Sequence, residues 1–170
     1  ISNSNFVDVA GDIGGAILVT ANYSDPQPNG DGVFVFCSFR NLFFLRSTAA
    51  YFGGSIAVVP FEGGTYSSRR FSVDIQNTTT ANNWYPTTSY SIIAAFMTIS
   101  DVIGYENEAG NGFINLIDTQ LEISGILQIN HTTTDYTEPT VPSLGGIFIS
   151  GNISSLTVLP NARIFINALG

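Results

Sequence analysis

The stretch Val33 to Arg46, VFVFCSFRNLFFLR, constrains the fold more than any other. It holds five of the thirteen Phe residues and neither Gly nor Pro. β-branched and aromatic side chains suit a pleated surface. Phe34, Val35, Phe36 and Cys37 run together with no polar break, the pattern of a strand covered on both faces. At about 3.3 Å per residue the stretch would span roughly 46 Å, so a bend is expected, at Arg40-Asn41. Such a strand needs two layers of partners. Phe36 is expected in the core, where Phe36→Ala would cost about 3–5 kcal/mol.

The rest of the chain supplies short apolar strands between turn signals. Residues 1–10 read as a short strand anchored by Phe6, with Val7 and Val9 beside it. Gly11, Gly14 and Gly15 follow as a flexible joint. Residues 16–23 and 55–61 read as strands, with the densest turn signal at 24–32, a loop at 47–54 and a tight turn at 62–65. Tyr66 to Gln76 alternates cleanly, with Phe71, Val73 and Ile75 on one side and Arg70, Ser72, Asp74 and Gln76 on the other. That is the pattern of a half-buried antiparallel strand. Residues 77–88 and 101–112 read as loops around a strand at 89–100. Residues 113–129 hold one long or two short strands, with a bulge or kink at Gly125-Ile126. A Thr/Pro-rich loop at 130–145 precedes three closing strands near 146–150, 152–159 and 161–168.

GGAI, GGSI and GGIF recur at Gly14, Gly53 and Gly145, spaced unevenly. They read as one local solution, a Gly turn feeding a strand, and no repeat is inferred. Nine or ten strands and no clear helix predict an all-β fold, an antiparallel β-sandwich with a jelly roll as one form of it. Residues 1–10 form an N-terminal strand open to exchange with a neighbouring subunit, and 11–170 form the sandwich domain.

Charge narrows the partners. Charged residues make up 11% of the chain, against about 25% in an average domain. The five basic residues are all Arg (Arg40, Arg46, Arg69, Arg70 and Arg163), and the net charge is −8. Nucleic acid and anionic membrane surfaces both need clustered cations, so neither is an expected partner. No run of 18 apolar residues occurs, so no membrane insertion is expected. The opening Ile1 reads as a removed leader or a cut. Solubility rests on Ser, Thr, Asn and Gln, which suits an extracellular face or a cell or virion surface.

Chemistry is sparse. His131, the only histidine, lies in a polar loop. No GxSxG, HExxH or zinc spacing occurs, so no catalytic residue and no cofactor is assigned. Cys37 reads as a buried, inert thiol. Asp25, Asn29 and Asp31 sit on a Gly/Pro turn as weak Ca²⁺ ligands, with Asp101, Glu106, Asn107 and Glu108 a second cluster. Asp, Asn and Gly also dominate ordinary turns, and no metal is assigned. Trp84-Tyr85 is a candidate sugar platform, against the plainer reading of a core plug. N-x-[ST] sequons stand at Asn22, Asn77, Asn130 and Asn152, marking a candidate glycoprotein.

A sandwich exposes edge strands, which soluble monomers blunt with Lys, Pro or inward charge. With no Lys and little charge, these edges look permissive. The expected function is therefore a structural subunit of an extracellular assembly, a filament or pilus-like fibre of copies of itself, joined by donation of residues 1–10. A viral capsid or spike jelly roll and a carbohydrate-binding module are the alternatives.

Overall fold

The computed structural model describes residues 1–21, 35–60, 71–82, 84–85, 89–105, 108–109, 113–130 and 146–167. Of Phe52, Trp84, Tyr85, Glu108 and Ala109 only the backbone is described. The chain winds as a coil. The first turn carries β1 (Ser2–Val7), β2 (Ala10–Ile13) and β3 (Ile17–Ala21). The second carries β4 (Val35–Leu45), β5 (Thr48–Phe52) and β6 (Ile56–Pro60). The third has β7 (Phe71–Ala81), β8 (Trp84–Tyr85) and β9 (Tyr90–Ile93); the fourth has β10 (Ala95–Tyr105), β11 (Glu108–Ala109) and β12 (Ile114–Ile117). The fifth has β13 (Gln120–Ile123), β14 (Ile126–Asn130) and β15 (Ile147–Ser150), and a last partial turn has β16 (Ser155–Val158) and β17 (Arg163–Asn167).

Every pairing among these strands is parallel, and in the two long sheets strands pair with their counterparts in the next turn. One sheet runs β1-β4-β7-β10-β13-β16, with β14 and β17 continuing its far half; another runs β15-β12-β9-β6-β3. This is a parallel β-helix, a solenoid. The all-β class stands. The antiparallel β-sandwich, its jelly-roll form and the estimate of nine or ten strands are corrected. Parallel strands need a long crossover between them, usually a helix. Here the crossover is the rest of the turn, itself made of strands.

Single residues make the corners. Asn3, Asn41, Asn77 and Asp101 all adopt φ between 46° and 57° and lie level in successive turns. Asn and Asp tolerate this left-handed region better than other side chains. The Asn41 side-chain amide donates to Asn3 Oδ1 at 2.9 Å, and that of Asn77 to Asn41 Oδ1 at 2.8 Å, so the corners form a ladder. The bend expected at Arg40-Asn41 is this corner. Asn77 and Asp101, read as loop starts, turn the chain without ending β7 and β10. A second corner stacks Asp8, Arg46 and Asn82, and a third stacks Gly14 and Gly53, at φ 62° and 56°. GGAI and GGSI are thus one corner met twice, with Ile17 level with Ile56. At Gly125-Ile126 Ile99 pairs with Ile123 but Val102 with Leu127, one residue further on, which is the expected bulge.

The core is a set of columns along the coil axis. Val73, Met97 and Leu121 stack in one, Ile75, Ile99 and Ile123 in the next, and Ile56, Tyr90 and Ile114 on the opposite sheet, all buried. Phe6 stacks on Phe44 with ring centroids 5.0 Å apart. Phe71, Val73 and Ile75 face inward as expected, although their strand is parallel; residues 66–70 lie outside the described residues.

Of the stretch Val33–Arg46, Val33 and Phe34 lie outside the described residues, and only part of the remainder is core. Phe39, Leu42 and Phe44 are buried, whereas Phe36 is 79% exposed on the outer face. Alternation in a single strand puts Phe36 opposite Cys37 and Phe39. The core assignment of Phe36 is corrected accordingly. Phe36→Ala is expected to change stability by no more than about 0.5 kcal/mol in urea melts.

Candidate functional site

Inside the two long sheets each strand has a neighbour on both sides; in the first and last described turns one side has no described partner. At the far end Leu156 is level with Leu121, Val158 with Ile123, and Ile166 with Ile129. The inner member of each pair is fully buried, while Leu156 and Val158 are each 46% exposed and Ile166 is 48%. Phe165 is 49% exposed beside them. These are core side chains in core columns, and no described strand pairs with the outer edges of β16 and β17. A cleft of about 570 Å³ runs along β17, lined by Gln128, Asn130, Ile164, Phe165, Ile166 and Asn167. The pattern behind this surface is legible in the sequence as closing strands apolar at nearly every position, IFIS, LTV and RIFIN.

At the near end β1 and β3 are the edge strands. β1 covers only part of β4. Ser2 is level with Arg40, and the Ile1 amino group donates to Ser38 O at 2.8 Å. Val35 to Ser38 extend past Ile1; β7 pairs with them on one side, and no described strand lies beside them on the β1 side. The outcome is a notch.

Phe6, Val7 and Val9 all lie in the first turn. Phe6 packs against the core, while Val7 points outward. Val9 O accepts the Thr48 amide at 2.8 Å. Asp8 and Arg46 form a two-pronged ion pair at 2.5 and 2.8 Å on the surface. The Arg46 hydrogen bond holds the Asp8 carboxyl below its ordinary value, and Asp8 raises Arg46 in return. The three glycines differ. A Cβ on Gly11 would meet nothing nearer than 3.4 Å, whereas Gly14 and Gly15 are buried against the backbone of neighbouring segments.

The remaining candidates are scattered. Asn77 is tied into the corner ladder. Asn130 ends β14, and Asn152 stands exposed on the turn before β16. Asn22, Asp25, Asn29, Asp31, Glu106, Asn107 and His131 lie outside the described residues, as do the side chains of Trp84, Tyr85 and Glu108. Asp101 accepts hydrogen bonds from Ser100 Oγ at 3.0 Å and from the Ile126 amide at 3.2 Å, which gives it a structural task. Among the described residues no three His, Cys, Asp or Glu side chains gather as metal ligands. Cys37 is half-buried at the notch rather than sealed in the core, and burial pushes its thiol up. Comparison with known families, curated proteins and solved structures finds no match to this chain.

Proposed function

We propose that this chain is a structural subunit of an extracellular assembly whose copies join end to end through the open edges of the solenoid. The observation that carries this reading is the exposure of Leu156, Val158 and Ile166 in columns that are dry one turn earlier. Covering one such side chain is worth about 1.5–3 kcal/mol. An uncovered parallel edge also presents a row of unpaired backbone groups, a template for another strand. The low charge and absence of Lys favour contact between like copies, since little desolvation of charge opposes it. The placement outside the cell rests on the same composition and on the sequons, of which Asn152 stands exposed on a turn.

Light scattering and negative-stain microscopy over a concentration series test the reading. Fibres or a ladder of oligomers are expected, and the double substitution Val158→Asp with Ile166→Asp should abolish them. A chain that remains monomeric at every concentration would overturn the proposal. A carbohydrate-binding module is the second reading, favoured by the β17 cleft, whose lining combines Phe165 with Gln128, Asn130 and Asn167. Sugar binding by a strictly monomeric chain would select it. The jelly-roll form of the capsid or spike alternative is corrected with the fold.

A further inference from the structure

We propose that the outer wall of the coil across β10, β14 and β17 binds a neutral glycan, with Tyr105 and Phe165 as stacking platforms and the amides of Gln128 and Asn130 between them. This rests on the carbohydrate-binding reading above and gives it a place and a ligand class.

Parallel register turns three separate stretches of sequence into a grid. Ile103, Gln128 and Phe165 lie level in successive turns, and so do Tyr105, Asn130 and Asn167. Alternation puts all six on the outside, between the buried Val102, Leu127 and Ile129. Tyr105 is 42% exposed and Phe165 49%. They stand at opposite corners of the grid, two strand spacings and two residues apart, roughly 12 Å between Cα positions. Gln128 and Asn130 fill the middle row. Gln128, Asn130, Phe165 and Asn167 also line the β17 cleft. The grid lies on the side wall of the coil and does not depend on what stands beyond β17. Its platform is firm: Gly104 leaves room for the buried Phe113 ring to pack close under the β10 backbone beside Tyr105.

The chemistry selects the ligand. The negative face of an aromatic ring attracts the C–H groups on the face of a sugar. A side-chain amide both donates and accepts, as a hydroxyl group does. These amides are unspent. At the first corner Asn3, Asn41 and Asn77 are level and hydrogen-bond one another. Asn130 and Asn167 are level too, yet no described residue hydrogen-bonds their side chains or that of Gln128. None of the six side chains is charged, so an acidic ligand would find no partner here, and burying an unpaired charge is costly. Before the corner the same wall is different, with Arg40, Asp74 and Glu122 on its outside. Size excludes a protein partner. Three strands by three residues cover roughly 140 Å², against about 800 Å² per partner in a standard interface. A short run of sugar rings fits that area.

Asn130 stands in a sequon, so the test uses protein made in a host that adds no N-linked glycan. Calorimetric titration takes a panel of neutral oligosaccharides of glucose, mannose, galactose, xylose or N-acetylglucosamine, with oligogalacturonate as the acidic arm. A neutral member is expected to bind, with an affinity that salt does not change. Tyr105→Ala and Phe165→Ala should each weaken it about tenfold, the loss of one ring contact. Tyr105→Trp keeps a platform and should retain binding, which separates loss of the ring from loss of the fold. Phe36→Ala, at an exposed ring before the corner, should leave binding unchanged. Neutral-sugar binding that survives Tyr105→Ala combined with Phe165→Ala overturns the grid but leaves the carbohydrate-binding reading in place. Binding of oligogalacturonate alone overturns the ligand class and with it the proposal. No binding by any member of the panel overturns both the grid and the carbohydrate-binding reading.

Discussion

Phe71→Ala is expected to cost about 3–5 kcal/mol in urea or guanidinium melts. Phe71 is fully buried at the start of β7, and its column neighbours are the smaller Val35 and Ala95. The ring therefore fills space that neither neighbour can reach into. Truncation removes its transfer energy and leaves a cavity, because strands locked on both sides cannot collapse inward. The contrast with Phe36→Ala, about 0.5 kcal/mol on the outer face, tests the inside and outside of the coil with one side-chain type. Comparable losses at the two positions would mean that the turns are wound differently.

Gly15→Ala is expected to cost about 3 kcal/mol, the upper range for forcing atoms into a packed site. The Gly15 amide donates to Gly53 O at 3.0 Å, so the backbones of two turns touch here. A Cβ would overlap the carbonyl oxygens of Thr48 and Gly54, and would lie 2.8 Å from the Thr48 carbonyl carbon. Backbone cannot rotate away as a side-chain tip can. In a chain of this length the loss corresponds to about 6–12 °C in Tm. Gly11→Ala, where contacts are ordinary, should stay within about 1 kcal/mol. If both variants melt alike, the tight corner at Gly15 is wrong and the segment is the loose joint its glycines suggest.

The difference between Gly11 and Gly15 shows what a sequence can and cannot carry. Three glycines in five residues read as freedom, since glycine permits conformations others avoid. At Gly14 that is so, with φ at +62°. Gly15 is glycine for a different reason, the absence of room, and the neighbouring turn supplies that constraint at Thr48 and Gly54. The same holds at the far end. Leu156, Val158 and Ile166 continue the columns of Leu121, Ile123 and Ile129 yet are about half exposed, a difference that no local pattern reports.

Strand content, the inward face of Phe71, Val73 and Ile75, the bend at Asn41 and the bulge at Gly125 all follow from the sequence, because each is set by side-chain alternation or by one residue's backbone preference. Strand partnership does not. A period of two states which side chains share a face, and it is the same whether the neighbour runs parallel or antiparallel. The solenoid repeat that would have decided the matter is hidden by its uneven length. The level corners Asn3, Asn41, Asn77 and Asp101 are separated by 38, 36 and 24 residues (41−3, 77−41 and 101−77), so no fixed period appears. The winding and the half-burial of Cys37 were decided only in three dimensions, where each turn finds its partner one full circuit of the chain away.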